Sequence, residues 1–369
     1  MSSSNSNSSR IASFIRIFGV VLSLYLFIVG ITGLGEAFKM FGGDFADKIL
    51  SATSNPVAAL FMGILATSIV QSSSTSTSIV VGMIAGGVLP LPSAVAMIMG
   101  ANIGTTITAM MVSFGHIRRP YEFRRAYSAA SLHLVFNLLA VAILFPLEIT
   151  TGFLTNLATI AQEMFSGVGG MTVSNPLQAA TGPMVNLLKW VVFDNAIAML
   201  IVTILLTYAT LISIVKLLQS LVLTKVETFF DRFLFLNWRR AMSFGFLLTV
   251  AVQSSSIPTT LAIPLTASGL LRLSQIYPFN LGANVGTTIT ACLAALATGQ
   301  DLPVVVAFAH VLFNILGILF VWCIPPIRKI PLAGAIWLGR TGSRKKMTPV
   351  LIFVGIYFLI PLIMILLFS

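Results

Sequence analysis

Ionisable side chains are scarce in this chain: Asp, Glu, Lys and Arg make up 8% of 369 residues, against 57% hydrophobic residues and a mean hydropathy of +1.00. So little polar surface cannot clothe a soluble domain of this size, and the composition points instead to an integral membrane protein. Cysteine is almost absent. Cys292 and Cys323 both lie in apolar stretches, which excludes a disulfide framework and a thiolate metal site, and no transition metal is expected. Acids are fewer than bases, 10 against 21, for a formal charge of +11. That excess could suggest nucleic acid. The bases, however, cluster in short connections such as Arg118-Arg119, Arg124-Arg125, Arg239-Arg240 and Arg344-Lys345-Lys346, where positive-inside anchoring accounts for them better, and no nucleic-acid partner is implied.

Apolar runs long enough to span a bilayer occur near 17–38, 126–147, 190–222, 303–324 and 349–368, given that about 20 helical residues cross the hydrocarbon. The intervening apolar sequence, 56–115 and 241–298, is broken by Ser/Thr clusters, by Gly86-Gly87 and by Pro90, Pro92, Pro258 and Pro264. Such pieces read as re-entrant hairpins and discontinuous helices, whose freed backbone groups must be buried in protein or line a watery cavity.

The breaks fall on a repeat. Gln71-Ser-Ser-Ser-Thr-Ser-Thr-Ser78 returns as Gln253-Ser-Ser-Ser-Ile-Pro-Thr-Thr260, and Gly100-Ala-Asn-Ile-Gly-Thr-Thr-Ile-Thr-Ala109 as Gly282-Ala-Asn-Val-Gly-Thr-Thr-Ile-Thr-Ala291, both at an offset of 182 residues. His133-Leu-Val-Phe-Asn137 then matches His310-Val-Leu-Phe-Asn314, after a connection five residues shorter. Loop charges give the halves opposite orientations. Four arginines follow the glycine block in the first half, whereas Lys225, Arg232, Arg239 and Arg240 precede the serine block in the second. The expected fold is therefore an all-α integral membrane protein of two inverted-topology repeats. Its parts are a disordered cytoplasmic tail over 1–16, a first repeat over 17–148, an extracytoplasmic connection over 149–189, a second repeat over 190–327, a basic cytoplasmic loop over 328–348 and a terminal transmembrane helix over 349–369. The expected location is the plasma (inner) membrane, crossed several times, with the amino terminus in the cytoplasm. A homodimer is among the assemblies this allows.

None of the four motif blocks contains an Asp, Glu, Lys or Arg. A proton relay built on an intramembrane acid or base is thus not indicated. Hydroxyls donate to oxyanions and accept from alkali cations, and a helix break exposes N–H groups at one end and carbonyls at the other. The glycines at 100, 104, 282 and 286 would permit such breaks. An anion bound without arginine needs a companion cation, and inverted repeats suit alternating access around a shared midplane site. Three rivals stand beside this reading. Ser and Thr can serve helix packing alone, hydroxyl rings can line a channel, and a serine near a histidine can suggest a hydrolase. The hydrolase lacks a nucleophile elbow and an acid to orient His133 or His310. Those two histidines read as structural, each sharing a face with the Asn four residues on. His116 reads as interfacial, and Glu36 and Asp194 as helix-end acids, with Asp194 an alternative tuner of coupling.

Over most of its length, from about Ser54-Asn-Pro-Val57 to Lys346, the chain resembles the type II sodium-dependent phosphate cotransporter family, whose pattern is the paired QSSS motif in inverted repeats. The resemblance implies symport of inorganic phosphate with Na⁺ as coupling ion and no other cofactor; sulfate or arsenate is the alternative oxyanion. It places phosphate at Gln71, Ser72, Ser73, Ser74, Gln253, Ser254, Ser255 and Ser256. Sodium falls to Thr287 with Thr290, and to Thr75, Thr77, Asn102, Thr105, Thr106, Thr259, Asn284 and Thr288. One departure concerns charge: where charge-carrying members hold Asp after the first-half His and electroneutral ones Gly, this chain has Leu134. A second is that vertebrate members continue past the helix at 349–368.

Overall fold

The computed structural model describes residues 3–169, 174–222 and 237–369. Among these every regular element is helical. Lys225 and Arg232, used above to orient the second half, lie outside the described residues. Helix α1 is Ser3–Met40, α2 Gly43–Ala52, α3 Pro56–Val70, α4 Ser73–Ala85, α5 Leu91–Gly104, α6 Ile107–Phe114, α7 Pro120–Thr151, α8 Phe153–Gly169, α9 Ser174–Val191 and α10 Ala196–Val222. After residue 237, α11 is Trp238–Val252, α12 Ser256–Ala267, α13 Leu273–Thr298, α14 Asp301–Gly317 with a π-helical extension to Trp322, and α15 Pro325–Arg344. The last apolar stretch is α16 Met347–Val354, a π-helical turn and α17 Ile360–Phe368. Among the described residues seven stretches are long and apolar enough to cross a membrane, and they overlap all five runs read from the sequence; the run at 190–222 is interrupted by a turn at Phe193-Asp194 and spans only from Ala196.

Two pairs of helices cross with backbones in close approach. In the first half, α3 crosses α5 so closely that a Cβ on Gly63 would lie 2.0 Å from the Met97 carbonyl oxygen, and one on Gly100 1.9 Å from that of Leu60. In the second, α11 crosses α13 in the same way, with Gly245 facing the Phe279 carbonyl at 2.1 Å and Gly282 that of Met242 at 1.8 Å. All four glycines and their four partners keep the offset of 182. Small residues let membrane helices approach backbone to backbone, where dispersion replaces the missing hydrophobic drive. The local structure is thus repeated along with the sequence.

The structure corrects several expectations. The glycines of the second block sit inside an unbroken helix, α13, because their role is this close approach. The first block breaks only after its last glycine, between α5 and α6 at Thr105-Thr106. The tail is not irregular from residue 3 onward: α1 begins at Ser3, an extension that an apolar helix already nucleated by its membrane segment makes cheap. The expected loop at 328–348 is largely α15, too polar to register in a hydropathy scan. The connection 149–189 is occupied by α8 and much of α9.

Candidate functional site

Both serine blocks begin at a helix break of one kind. Gln71 caps the end of α3 in the left-handed conformation (φ 58°), and Gln253 caps α11 likewise (φ 56°). Among the described residues only two other non-glycines, Phe193 and Asp194, have positive φ. A side chain at left-handed φ costs roughly 1–2 kcal/mol, and such strain persists where surrounding structure holds it. Each break therefore sets a helix carboxyl end against the amino end of the next helix. At α4 the Ser72 hydroxyl accepts from the Thr75 amide (3.2 Å) and lies 2.9 Å from the Thr75 hydroxyl. At α12 the capping position falls on Ser255, whose side chain makes no such bond.

The two breaks meet. Ser74 Oγ lies 3.5 Å from the Gln253 carbonyl, so a serine of the first block approaches the break of the second. Ser73 and Thr105 share a hydrogen bond of 3.1 Å, joining the first serine block to the first glycine block. In the second half Thr290 donates to the Gln253 carboxamide oxygen at 2.9 Å, and that carboxamide also donates to the Val250 carbonyl. Ser73, Ser74, Thr75, Thr77 and Ser255 are buried, Ser72, Ser254 and Ser256 are half-buried, and Gln71 is exposed. No charged side chain belongs to either block, so the electrostatics are those of helix ends, about half a unit charge each, and of hydroxyl dipoles.

Other expected sodium residues are placed differently. Thr77 donates to the Ser73 carbonyl (2.8 Å), Thr259 to that of Ser255 (2.8 Å), Thr287 to that of Ala283 (3.0 Å) and Thr288 to that of Val285 (2.7 Å). Thr106 bonds the Tyr357 hydroxyl, brought in by the last apolar stretch. Asn102 and Asn284 enter a network that sequence reasoning did not assemble. His133 Nε2 bonds Asn284 Oδ1 at 2.7 Å, Asn284 donates to Asn137 Oδ1 at 2.8 Å, and Asn137 donates to the Asn102 carbonyl at 2.7 Å. The signal for it was the His-x-x-x-Asn face; for Tyr357, a lone hydroxyl in a wholly apolar span. The helix-end acids lie apart from these blocks. Glu36 pairs with Lys39 and Lys189, and Asp194 is exposed in the turn between α9 and α10. His116 meets Glu122 at 3.1 Å.

Against this geometry, the sequence pattern of the Na⁺/Pi-cotransporter family matches residues 26–174 and 205–321, most of the chain and both breaks. The chain belongs to that family. A rat sodium-dependent phosphate transport protein 2A is 31% identical to this family member over 416 residues, covering 92% of this chain and 65% of the relative. A human sodium-dependent phosphate transport protein 2B is 30% identical over 436 residues, covering 92% and 63%. The chain spans just under two thirds of the length of these relatives. No solved structure matches it.

Proposed function

We propose that this family member is a secondary transporter that couples Na⁺ entry to uptake of inorganic phosphate by alternating access. The observation that carries the reading is the meeting of two left-handed helix breaks, Gln71 and Gln253, with Ser74 of one motif against the backbone of the other. The amino ends of α4 and α12, with the hydroxyls of Ser72–Ser74 and Ser254–Ser256, donate to the oxygens of phosphate. The carbonyl ends of α3 and α11, with Thr75, Thr105 and Thr290, offer oxygen to Na⁺. With no fixed charge in either block, anion and cations neutralise one another, so each binds well only when the others are present. That mutual dependence is the physical basis of coupling.

The same reading places the amino terminus on the cytoplasmic side of the plasma membrane and runs the halves in opposite directions across it. Radiolabelled phosphate uptake into proteoliposomes under an inward Na⁺ gradient, with sulfate and K⁺ as controls, tests the function; no Na⁺-dependent accumulation would sink it. Single cysteines test the inversion, once Cys292 and Cys323 are replaced. Exposed Leu302→Cys is paired with exposed Arg118→Cys. An impermeant thiol reagent added to intact cells should reach Leu302→Cys alone; labelling of both removes the inverted repeat.

A further inference from the structure

Away from the serine blocks, four arginines line one cavity of about 560 Å³: Arg124 and Arg125 of α7, Arg272 at the start of α13 and Arg340 of α15. Ser128 and Thr266 add hydroxyls to its wall. Among the described residues no carboxylate lines it. Glu122, the acid closest in sequence, turns instead to His116 and Arg119. Among the described residues none of the four guanidinium groups has an ion-pair partner, and Gly269 (φ +86°) brings bare backbone beneath Arg125, whose Nη1 lies 2.5 Å from where a Cβ would stand. Four like charges around one hollow repel unless an anion joins them. Guanidinium matches phosphate oxygens two at a time, and the volume is that of a small-molecule site, with more charge than one phosphate group carries.

The surroundings indicate where the anion comes from. Helix α15 carries Arg328, Lys329 and Arg344 together with exposed Ile330 and Trp337, the pattern of a helix lying in the headgroup layer. Leu270, beside the lining residues Gly269 and Leu271, is 64% exposed and offers apolar contact at the rim. Basic pockets between membrane helices on the inner face suit phosphate-rich lipid headgroups. We propose that this cavity binds the headgroup of a membrane lipid carrying two phosphate groups. The lipid joins α7 of the first half to the α12–α13 turn of the second, outside the proposed transport site.

The test uses the full chain, purified and delipidated. Diphosphatidylglycerol, phosphatidylglycerol at matched charge, and pyrophosphate are titrated separately by native mass spectrometry. Diphosphatidylglycerol should be retained over phosphatidylglycerol, and Arg124→Gln/Arg272→Gln/Arg340→Gln should weaken that retention by at least about tenfold, as expected when charge-assisted hydrogen bonds are lost. Equal retention of both lipids, or full retention by the variant, overturns the site. Pyrophosphate binding as tightly as the lipid moves the ligand to solution and overturns the lipid assignment. Should the triple variant not fold, arginine-selective dicarbonyl labelling of the unmutated protein decides. Diphosphatidylglycerol should shield Arg272 and Arg340, and unchanged labelling of both overturns the proposal. Because the readouts are lipid retention and labelling, their failure leaves the transport reading untouched, and failed uptake leaves this one standing.

Discussion

The first and second halves cross their helices through equivalent glycines and break them at equivalent glutamines, yet they part company just after the glycine blocks begin. In the first half the helix tightens into a turn at Thr105-Thr106, both residues keeping right-handed dihedrals, with Thr105 held by Ser73 and Thr106 by Tyr357. In the second, Thr287 and Thr288 stay inside α13 and bond their own helix. The polar network is one-sided too. His133 and Asn137 reach across to Asn284, whereas Asn314 donates to the His310 carbonyl within its own helix. Among the described residues Nδ1 of both histidines lacks a partner, and so does Asn314 Oδ1. What both halves share is the scaffold that creates a break inside a membrane; what differs is the set of oxygen atoms each break presents. On the proposed reading, a duplicated fold thereby holds unlike ligands, an anion and its cations, at one shared site.

The shared part should be the most fragile. An alanine methyl at Gly282 meets the Met242 carbonyl and one at Gly100 meets that of Leu60, both backbone atoms of a helix that cannot retreat without uncrossing. We expect Gly100→Ala and Gly282→Ala each to cost about 3 kcal/mol or more, the upper range of overpacking effects. The readout is the monodisperse fraction in detergent and its thermal unfolding. Normal stability in one variant alone would show that the two crossings are not equivalent.

The serines come next. Removing a hydroxyl that binds an ion costs roughly 1.5–3 kcal/mol, about tenfold or more in apparent phosphate affinity. An interhelical bond used only for packing averages about 0.6 kcal/mol. Ser73→Ala and Ser255→Ala should therefore lower uptake sharply at low phosphate while unfolding temperature barely moves. Ser255 sharpens the comparison, because its hydroxyl makes no capping bond. Uptake equal to the parent in both variants would make the duplicated serines scaffold.

The network gives a smaller, lopsided effect. Asn137→Leu strands Asn284, a buried group, at about 1–3 kcal/mol, whereas Asn314→Leu removes a bond within one helix and should cost less. Equal losses of thermal stability would erase the asymmetry drawn above.

How far these features were legible in the sequence follows from whether their causes are local. The plain spans and the serine-block breaks could be read because hydropathy and hydroxyl clustering are local signals. Glycines four apart, as at 100 and 104, read equally as a break or as a groove for a neighbour. Only the partner backbone, at Leu60 and Ile64, decides it. Thr106 meets Tyr357 across 251 residues, and α15 hides in a polar, basic stretch that hydropathy treats as loop. The two serine blocks were visible, but their meeting at Ser74 and Gln253 depends on the tertiary fold.

The smallest expected effect is none at all, and it concerns charge. Leu134, beside the His that reaches Asn284, is fully buried and has no atom able to hold a cation. No Asp or Glu lies in either serine or glycine block. A further Na⁺ bound there would have no negative partner in a medium where unpaired charge is costly. Divalent phosphate with two Na⁺ sums to zero, so a membrane potential does no work on the loaded carrier. A third Na⁺ would instead add about 2.3 kcal/mol per 100 mV. We expect uptake at equal Na⁺ gradients to be the same in liposomes held at zero and at inside-negative potential. A phosphate-dependent current, or uptake rising steeply with potential, would mean that the oxygens of the two unlike breaks hold one cation more than divalent phosphate neutralises.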